Sequence, residues 1–282
     1  TGIAIFSLFI AAINAYLPQV YKEVVDTVTQ NPNNLSWQLL QPFLIKLLII
    51  SLAWVVVNYL FNLLSNRNFQ RVRGALRVAV FKKITSLSID YFETNRPGEI
   101  IERTGSAVGS FAGWVNSLNY SLLGPIFSIL VITAILFHSS FLLGIIALSI
   151  IAYSSFMTRR TRLKTKEPNR LWRKHLESSM GIFTETIQNM STISTLSSTK
   201  RFVRKMETEE NESLKLAFQV RGAWNKLNAN ITLFNELAIF LAILIILNDL
   251  INGSTSIGQF IALTTYFRTL RMDAWVLADF IP

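Results

Sequence analysis

Polar side chains recur at spacings of three and four in a stretch of the chain that is otherwise apolar. They are Asn228, Thr232, Asn235 and Glu236, and the run LAIFLAILIIL follows them directly. Residues three and four apart lie on one face of an α-helix. Ionisable groups are costly in lipid and mark functional paths there by default. A face of amides, a hydroxyl and a carboxylate can therefore bind a solute through hydrogen bonds and charge.

A second candidate set lies near the C-terminal end of the sequence. Arg268, Arg271 and Trp275 share a helix face, which together with Tyr266 would be cationic and aromatic. Such a face suits an amphipathic or anionic solute, such as a lipid or an acidic peptide. We expect the two polar faces to line one water-filled path. The alternative is a structural ion pair of Glu236 with Arg268 or Arg271, which would only lock two helices together.

The sequence offers no residues that could catalyse a reaction by themselves. It contains no Gly-x-x-x-x-Gly-Lys-Ser/Thr phosphate loop, metal-ligand cluster or nucleophile and base pair. Of the two histidines, His138 lies at a predicted outer helix turn and His175 in a basic helix. We expect both to be solvated or interfacial and not catalytic. We therefore predict no catalytic residue, metal site or cofactor in this chain.

Composition and hydropathy identify the elements that must position these residues. The chain has 282 residues, of which 51% are hydrophobic, and it lacks the spacers of a multi-domain soluble protein. A helix needs about 20 residues to cross a hydrocarbon core of roughly 30 Å. Apolar runs of that length occur near residues 3–25, 43–64, 118–138, 140–158, 229–251 and 256–280. The sequence therefore predicts an all-α membrane protein with six transmembrane helices.

The basic residues determine the predicted orientation. Of 27 Lys and Arg, eight lie between residues 67 and 103 and fifteen between residues 159 and 226, while QNPNNLSWQLLQP, HSS and NDLINGSTS contain none. Cytoplasmic segments carry the excess of basic residues. We thus predict that residues 65–115 and 159–226 are largely cytoplasmic. This distribution also explains the net charge of +10 without a nucleic-acid partner.

The two basic segments are too long to be simple loops. Helix-forming residues and an apolar spacing of three and four continue past the second span, and Pro168 is the only proline between residues 141 and 206. The second to fifth helices should therefore extend into the cytoplasm as two long hairpins. Their tips are YFETNRPGEIIERTG and ETIQNMSTISTLSSTKRF.

These tips and two further segments resemble the membrane domains of ABC exporters. In the first tip, an aromatic residue and a Gly-x-aliphatic-x-x-Arg pattern are similar to the family signature, on Phe92, Gly98, Ile100, Arg103 and Val108. LPQVYKEVVDTV is similar to the end of the first span, and GSTSIGQFIALTTYFRTL to the start of the sixth. The resemblance covers the whole chain. The sequence departs from the family at Asp273, where a proline is common.

The resemblance implies that each tip carries a short coupling helix that docks on a nucleotide-binding domain. The first contact set would be Tyr91, Phe92, Gly98, Glu99, Ile100 and Arg103, and the second would be Ser191, Ile193 and Leu196. ATP and Mg would bind the nucleotide-binding domain, which is missing from this chain. The implied partners are that domain, a second copy or a related half-transporter, and the lipid bilayer.

The implied function is that of the membrane-spanning half of an ATP-driven exporter. Apart from the resemblance, we expect the host membrane to be a bacterial plasma membrane. We expect residues 1–282 to be one transmembrane domain cropped at both ends, because apolar runs reach both termini. The residues alone leave a second class open, a six-span channel or ion-coupled carrier with a cytoplasmic helical assembly domain. Carriers of that class often have broken helices in inverted repeats. Here Gly124-Pro125 is the only such break at lipid depth.

Overall fold

The computed structural model of the protein describes residues 2–32, 36–88, 97–195 and 198–280, with the backbone alone at 97–103, 106, 119, 121 and 278–280. Across these residues the chain is almost entirely helical and has no strand. The helices are α1 (Gly2–Gln30), α2 (Trp37–Thr85), α3 (Pro97–Ser117), α4 (Gly124–Ser139), α5 (Phe141–Gln188), α6 (Met190–Thr195), α7 (Thr199–Ile251) and α8 (Ile257–Phe280). A π-helical segment, Leu118–Leu123, joins α3 to α4.

Helix α2 begins at Trp37, which is before the apolar run that starts near residue 43. Ser36 is its N-cap, because the Ser36 side chain accepts a hydrogen bond from the backbone N–H of Leu39 at 3.3 Å. A serine in this position satisfies a backbone donor that the first helical turn leaves unpaired. Pro42 therefore lies inside the helix. Because a proline has no backbone N–H, the helix continues there with one main-chain hydrogen bond missing.

Three helices are much longer than a membrane crossing needs. Helix α2 has 49 residues, α5 has 48 and α7 has 53, whereas about 20 residues cross the hydrocarbon core. The prediction that helix continues past these spans is confirmed. Pro168 lies inside α5 without ending it.

Four helices within the described residues are long and apolar enough to cross a membrane, namely α1, α2, α5 and α7. Helix α4 is apolar but has only 16 residues. Helix α8 has 24 residues and carries Arg268, Arg271, Asp273 and Asp279. The protein is thus a multi-pass membrane protein, while the predicted count of six spans stays a prediction.

The chain forms two compact units. The first comprises Thr1–Ile151 and Ala238–Phe280, and its core lies where α1 meets α4 and α8. Tyr266, Phe267 and Leu270 of α8 are almost completely buried there, as are Ile132 and Leu136 of α4. Helix α1 also packs against α2. The buried face of α1 carries small residues such as Ala11 and Ala15, and the Ala15 carbonyl accepts a hydrogen bond from Tyr266 of α8.

The π-helical segment lies directly before Gly124-Pro125. A proline cannot donate the backbone hydrogen bond that a regular helix requires one turn back, and π segments often occur where that pattern is interrupted. Tyr120, in this segment, packs edge-on against Phe61 of α2, with ring centroids 5.2 Å apart. The break that the sequence places at lipid depth is therefore accommodated by a local change of helix type.

The second unit, Ala152–Leu237, contains the C-terminal part of α5, helix α6 and the N-terminal part of α7. The Tyr153 and Phe234 rings stack with centroids 3.9 Å apart, and the Arg162 guanidinium lies 5.9 Å from the Trp224 ring. Further along, Ser179 donates a hydrogen bond to Glu210 at 3.3 Å. Residue numbers rise on α5 as they fall on α7, so the two helices are antiparallel. The predicted second hairpin is present, with α6 at its tip.

Candidate functional site

The predicted polar face of α7 is largely exposed. Asn228, Thr232 and Glu236 lie on the surface of the second unit, as their spacing predicts. Asn235 differs, because it is 2% exposed and its side-chain oxygen has no hydrogen-bond partner among the described residues. Three of the four residues can therefore meet a solute, whereas Asn235 lies inside the protein.

The basic face of α8 is also accessible in part. Arg268 and Trp275 are exposed, and Arg271 is half-buried. Tyr266 does not join them, which corrects the expectation that it would. Its hydroxyl donates to the Ala15 carbonyl at 2.6 Å and accepts from the Gln19 amide at 3.0 Å, and the residue is 1% exposed. Tyr266 fixes α8 to α1 and is closed to a solute.

The two candidate faces belong to different compact units. Residues Asn228 to Glu236 lie in the second unit, and Arg268 to Trp275 lie in the first. The shared path and the ion pair between Glu236 and an arginine of α8 both stay predictions.

The predicted coupling residues fall partly outside the described residues. Tyr91, Phe92 and Leu196 are among the positions that the structure does not describe. Gly98, Glu99, Ile100 and Arg103 lie in the first turns of α3, where the backbone alone is described. On helix α6, Ser191 is exposed and Ile193 is 4% exposed. The buried Ile193 side chain can anchor α6, which leaves Ser191 and its exposed neighbours as the outer surface.

A polar connection that the sequence did not predict joins α1 to the start of α8. The Asp26 carboxylate accepts hydrogen bonds from the Ser256 hydroxyl at 2.8 Å and from the Gly258 backbone N–H at 2.9 Å. Ser256 in turn accepts from the Gln259 N–H at 3.1 Å. A carboxylate at a helix N-terminus is stabilised by the free N–H groups and by the helix dipole. Asp26 thus caps a helix more than two hundred residues away.

Two cavities lie between α1, α4 and α8 in the first unit. The larger measures about 360 Å³ and includes Lys22, His138 and Gln259 in its lining. The smaller measures about 160 Å³ and is lined by Asn14, Gly124, Pro125, Ser128, Thr269 and Asp273, among others. We call it the Asp273 cavity. The sequence singled out Asp273 only as a departure from the family pattern, although an acid within a predicted span is itself a signal.

A hydrogen bond between a histidine and a carboxylate joins the helices of the second unit. The His175 Nδ1 lies 2.7 Å from the Glu209 carboxylate, and both side chains are about one-third exposed or less. The hydrogen bond from His175 lowers the pKa of Glu209 below its ordinary value, aided by Ser178 and by the charge of Lys205 and against the effect of desolvation. His175 therefore contacts a specific partner instead of only facing solvent.

The part of the chain that the structure describes contains no candidate metal-binding site. No group of three or more histidine, aspartate or glutamate side chains there could hold a metal ion. What the arrangement offers instead is polar surface on membrane helices and two cavities between them.

Comparison with known proteins adds a protein of related sequence and one of related fold. ABC transporter B family member 1 of Dictyostelium discoideum is 24% identical over 270 residues, covering 94% of this chain and 29% of that protein. A bacterial Atm1-family ABC exporter, solved with ATP bound, superposes with a TM-score of 0.81 at 18% identity. That superposition covers 99% of this chain and 49% of the exporter chain. The chain thus spans half or less of the length of each protein.

The family comparison covers nearly the same range as the described helices. Residues 2–273 match the family described as ABC transporter transmembrane region, which extends from the first turn of α1 into the last third of α8. The resemblance read from the tips and the ends of the spans is confirmed by this match. The chain therefore belongs to the ABC transporter transmembrane region family.

Proposed function

We propose that this chain is the membrane-spanning half of an ATP-driven exporter that works by alternating access. The observation that carries the proposal is the superposition of 99% of the chain on about half of an exporter chain, at a TM-score of 0.81. The family match over residues 2–273 supports the same reading. A channel or ion-coupled carrier receives no support from these likenesses.

In this proposal six helices cross the membrane. Helices α4 and α8 would be the two spans in addition to the four long apolar helices, although α4 has only 16 residues. The π-helical segment before α4 adds length, because Leu118–Leu123 is itself apolar or uncharged and continues the helical path. Sixteen and six residues together approach the roughly 20 residues that a span needs. The host membrane would be a bacterial plasma membrane.

The energy for transport would come from partners. Nucleotide-binding domains that hold ATP and Mg would dock on two surfaces, one at the start of α3 and the other on α6. On α6 the buried Ile193 would hold the helix while exposed Ser191 contacts the ATPase. The complete transporter would contain two such membrane halves, from a second copy or a related chain.

The cargo would be amphipathic and would contact the polar faces of α7 and of α8. Exposed Thr232 and Glu236 provide hydrogen bonds on one helix, and exposed Arg268 with Trp275 provides charge and an aromatic surface on the other. An aromatic ring beside a guanidinium suits a solute that has both an apolar part and an acidic group.

Site-directed cross-linking tests the docking step. Ser191→Cys would be made the only cysteine of the full-length protein, which is practicable because residues 1–282 contain none. We expect this cysteine to cross-link to a nucleotide-binding domain, and nucleotide to change the yield. Asn252→Cys is the matched control, since Asn252 is also exposed but lies in the connection before α8, which we predict to be outside. Equal yields from both positions, or none from Ser191→Cys, would contradict the proposal.

A further inference from the structure

The Asp273 cavity lies at predicted membrane depth and has a carboxylate in a lining that also contains apolar residues such as Ile10 and Ala11. Asp273 lies fifteen positions after Gly258 on α8, or about 22 Å along the helix from its outer end. The Asp273 Oδ2 atom is buried and has no hydrogen-bond partner among the described residues. A buried polar oxygen without a partner is costly, and the cost is larger for a charged group. The cavity therefore favours an occupant that satisfies this oxygen.

The two hydroxyl groups that line the cavity already donate their protons to other acceptors. The Thr269 hydroxyl donates to the Thr265 carbonyl at 3.1 Å, and the Ser128 side chain hydrogen-bonds the Asp273 carboxylate. A hydroxyl has one donor and two acceptor lone pairs, so both oxygens can offer only lone pairs to the cavity. Pro125, also in the lining, has no backbone N–H to donate. Apart from the Asn14 amide, the polar lining consists of acceptors.

The net charge of the cavity lining also favours a cation. Asp273 is the one acidic side chain, and no Lys, Arg or His is among the described residues that line the cavity. One carboxylate with neutral oxygens balances a single positive charge, whereas divalent ions in proteins usually take more carboxylates or a substrate phosphate. The volume of about 160 Å³ compares with roughly 30 Å³ for one water molecule in the liquid. The space holds a small cation with a few waters, or an ammonium group on a short chain.

We propose that the Asp273 cavity binds a monovalent cation, either a partly hydrated alkali ion or the primary ammonium group of a small amine. The carboxylate of Asp273 balances the charge, and the oxygens of Asn14, Ser128 and Thr269 complete the contacts. Because these residues come from α1, α4 and α8, a bound cation joins three helices of the first unit. The proposal is independent of what the protein transports.

Cation-dependent stability of the full-length protein tests the site. Thermal unfolding in detergent would be followed while NaCl, KCl or methylammonium chloride replaces N-methyl-D-glucamine chloride at constant ionic strength. We expect at least one small cation to raise the unfolding midpoint with saturation, because a ligand that binds the folded state stabilises it. A response to sodium or potassium identifies an alkali-ion site, and a response to methylammonium alone identifies an amine site.

Two threonine variants make the test specific. Thr269→Val removes a lining oxygen, whereas Thr264→Val removes a hydroxyl that donates to the Phe260 and Ile261 carbonyls of the same helix outside this cavity. We expect Thr269→Val to weaken the apparent cation affinity by roughly tenfold and Thr264→Val to leave it unchanged. Asp273→Asn should abolish the response. If that variant does not fold, binding of the radiolabelled cation that raised the midpoint, sodium, potassium (as rubidium) or methylammonium, is compared in the two threonine variants.

Three results would overturn the proposal. They are a midpoint that no small cation raises, a response that survives Asp273→Asn, and equal cation affinities in Thr269→Val and Thr264→Val. The first result would mean that the Asp273 carboxylate is satisfied by a proton or by water and not by a cation.

Discussion

The Asp26 carboxylate of α1 accepts a hydrogen bond from the backbone N–H of Gly258, at the start of α8, over 2.9 Å. The same carboxylate accepts a second hydrogen bond from Ser256. Further along the two antiparallel helices, Gln19 and the Ala15 carbonyl hold the Tyr266 hydroxyl. Polar contacts thus fix α8 against α1 over about three turns of helix, and they make the start of α8 sensitive to substitution.

Gly258→Ala should destabilise the protein because α1 approaches α8 too closely there. A Cβ atom at position 258 would clash with the Lys22 carbonyl and with the Asp26 carboxylate. Forcing a methyl group into such a contact costs about 1–3 kcal/mol. The measurement is SDS-induced unfolding followed by tryptophan fluorescence. Gly222→Ala is the matched control, because nothing lies within 4 Å of a Cβ there.

The control should behave in the opposite way. Gly222 lies inside helix α7, where alanine is favoured over glycine by roughly 1 kcal/mol, so Gly222→Ala should be neutral or stabilising. If Gly258→Ala unfolds no more readily than Gly222→Ala, the close approach of α1 and α8 is wrong.

Asp26→Ala should weaken the connection between α1 and α8 by leaving the Gly258 N–H without its acceptor. Removing one partner of a partly buried hydrogen bond to a charged group costs about 1–3 kcal/mol. Ser256→Ala should cost less, because Asp26 keeps its bond from Gly258. A double-mutant cycle on the two substitutions should give a coupling energy clearly different from zero, since both residues belong to one network.

Thr29→Ala serves as the control for the Asp26 substitution. The Thr29 hydroxyl lies on the same helix end but donates to the Val25 and Asp26 carbonyls of its own helix. We expect an effect within about 0.5 kcal/mol, as for most exposed positions. An equal loss of stability in Thr29→Ala and Asp26→Ala would show that the contact with α8 contributes nothing.

Glu209→Gln should remove a contribution to stability that depends on pH. The folded-state pKa of Glu209 is lowered from the ordinary value of 4.5, chiefly by the hydrogen bond from His175. A carboxyl whose pKa is depressed on folding stabilises the protein fully above its unfolded pKa and loses that contribution as the pH falls through the folded value. The wild type should therefore exceed the variant in stability above about pH 4.5, and the difference should vanish at lower pH.

The measurement for this pair is the unfolding midpoint from about pH 7 down to about pH 3. Glu212→Gln is the control, because Glu212 pairs with Lys215 one turn away on the same exposed helix surface. Exposed pairs of this kind contribute little. A difference between wild type and Glu209→Gln that stays constant over the whole pH range would exclude the interaction with His175 as its source.

Much of the helical framework follows from the sequence because its signals are local. The apolar spacing of α2, α5 and α7 continues past the membrane, and the structure has three continuous helices there. The apolar run that begins near residue 43 predicts the membrane span but not the helix start, since α2 begins six residues earlier, at Trp37. Serine is a preferred N-cap residue, so Ser36 was the one local signal for this start, and its side chain caps the helix.

The candidate site was less predictable because it depends on contacts between helices. Residues 266 and 275 are nine positions apart, or about half a turn around a helix, so Tyr266 and Trp275 cannot share a face. Spacing could have shown this. The partners of Tyr266 on α1 could not be read from the sequence, because they lie about 250 residues away. The same holds for Asp273, whose neighbours Asn14 and Ser128 come from two other helices.

The central claim is that the polar face of α7 lines a path whose access ATP switches from one side of the membrane to the other. Thr232→Cys tests it most directly, with Leu233→Cys as the control. Both residues are exposed on the same turn, but Leu233 lies about 100° around the helix and is apolar. Each would be the only cysteine of the full-length protein in proteoliposomes, probed with a membrane-impermeant maleimide from either side.

We predict that Thr232→Cys reacts from the cytoplasmic side without nucleotide and from the outer side with ATP and vanadate, while Leu233→Cys reacts from neither. Reaction from both sides at once would indicate a channel. A change of side that does not depend on ATP would indicate an ion-coupled carrier. Either result, or equal labelling of the two positions, would contradict the account.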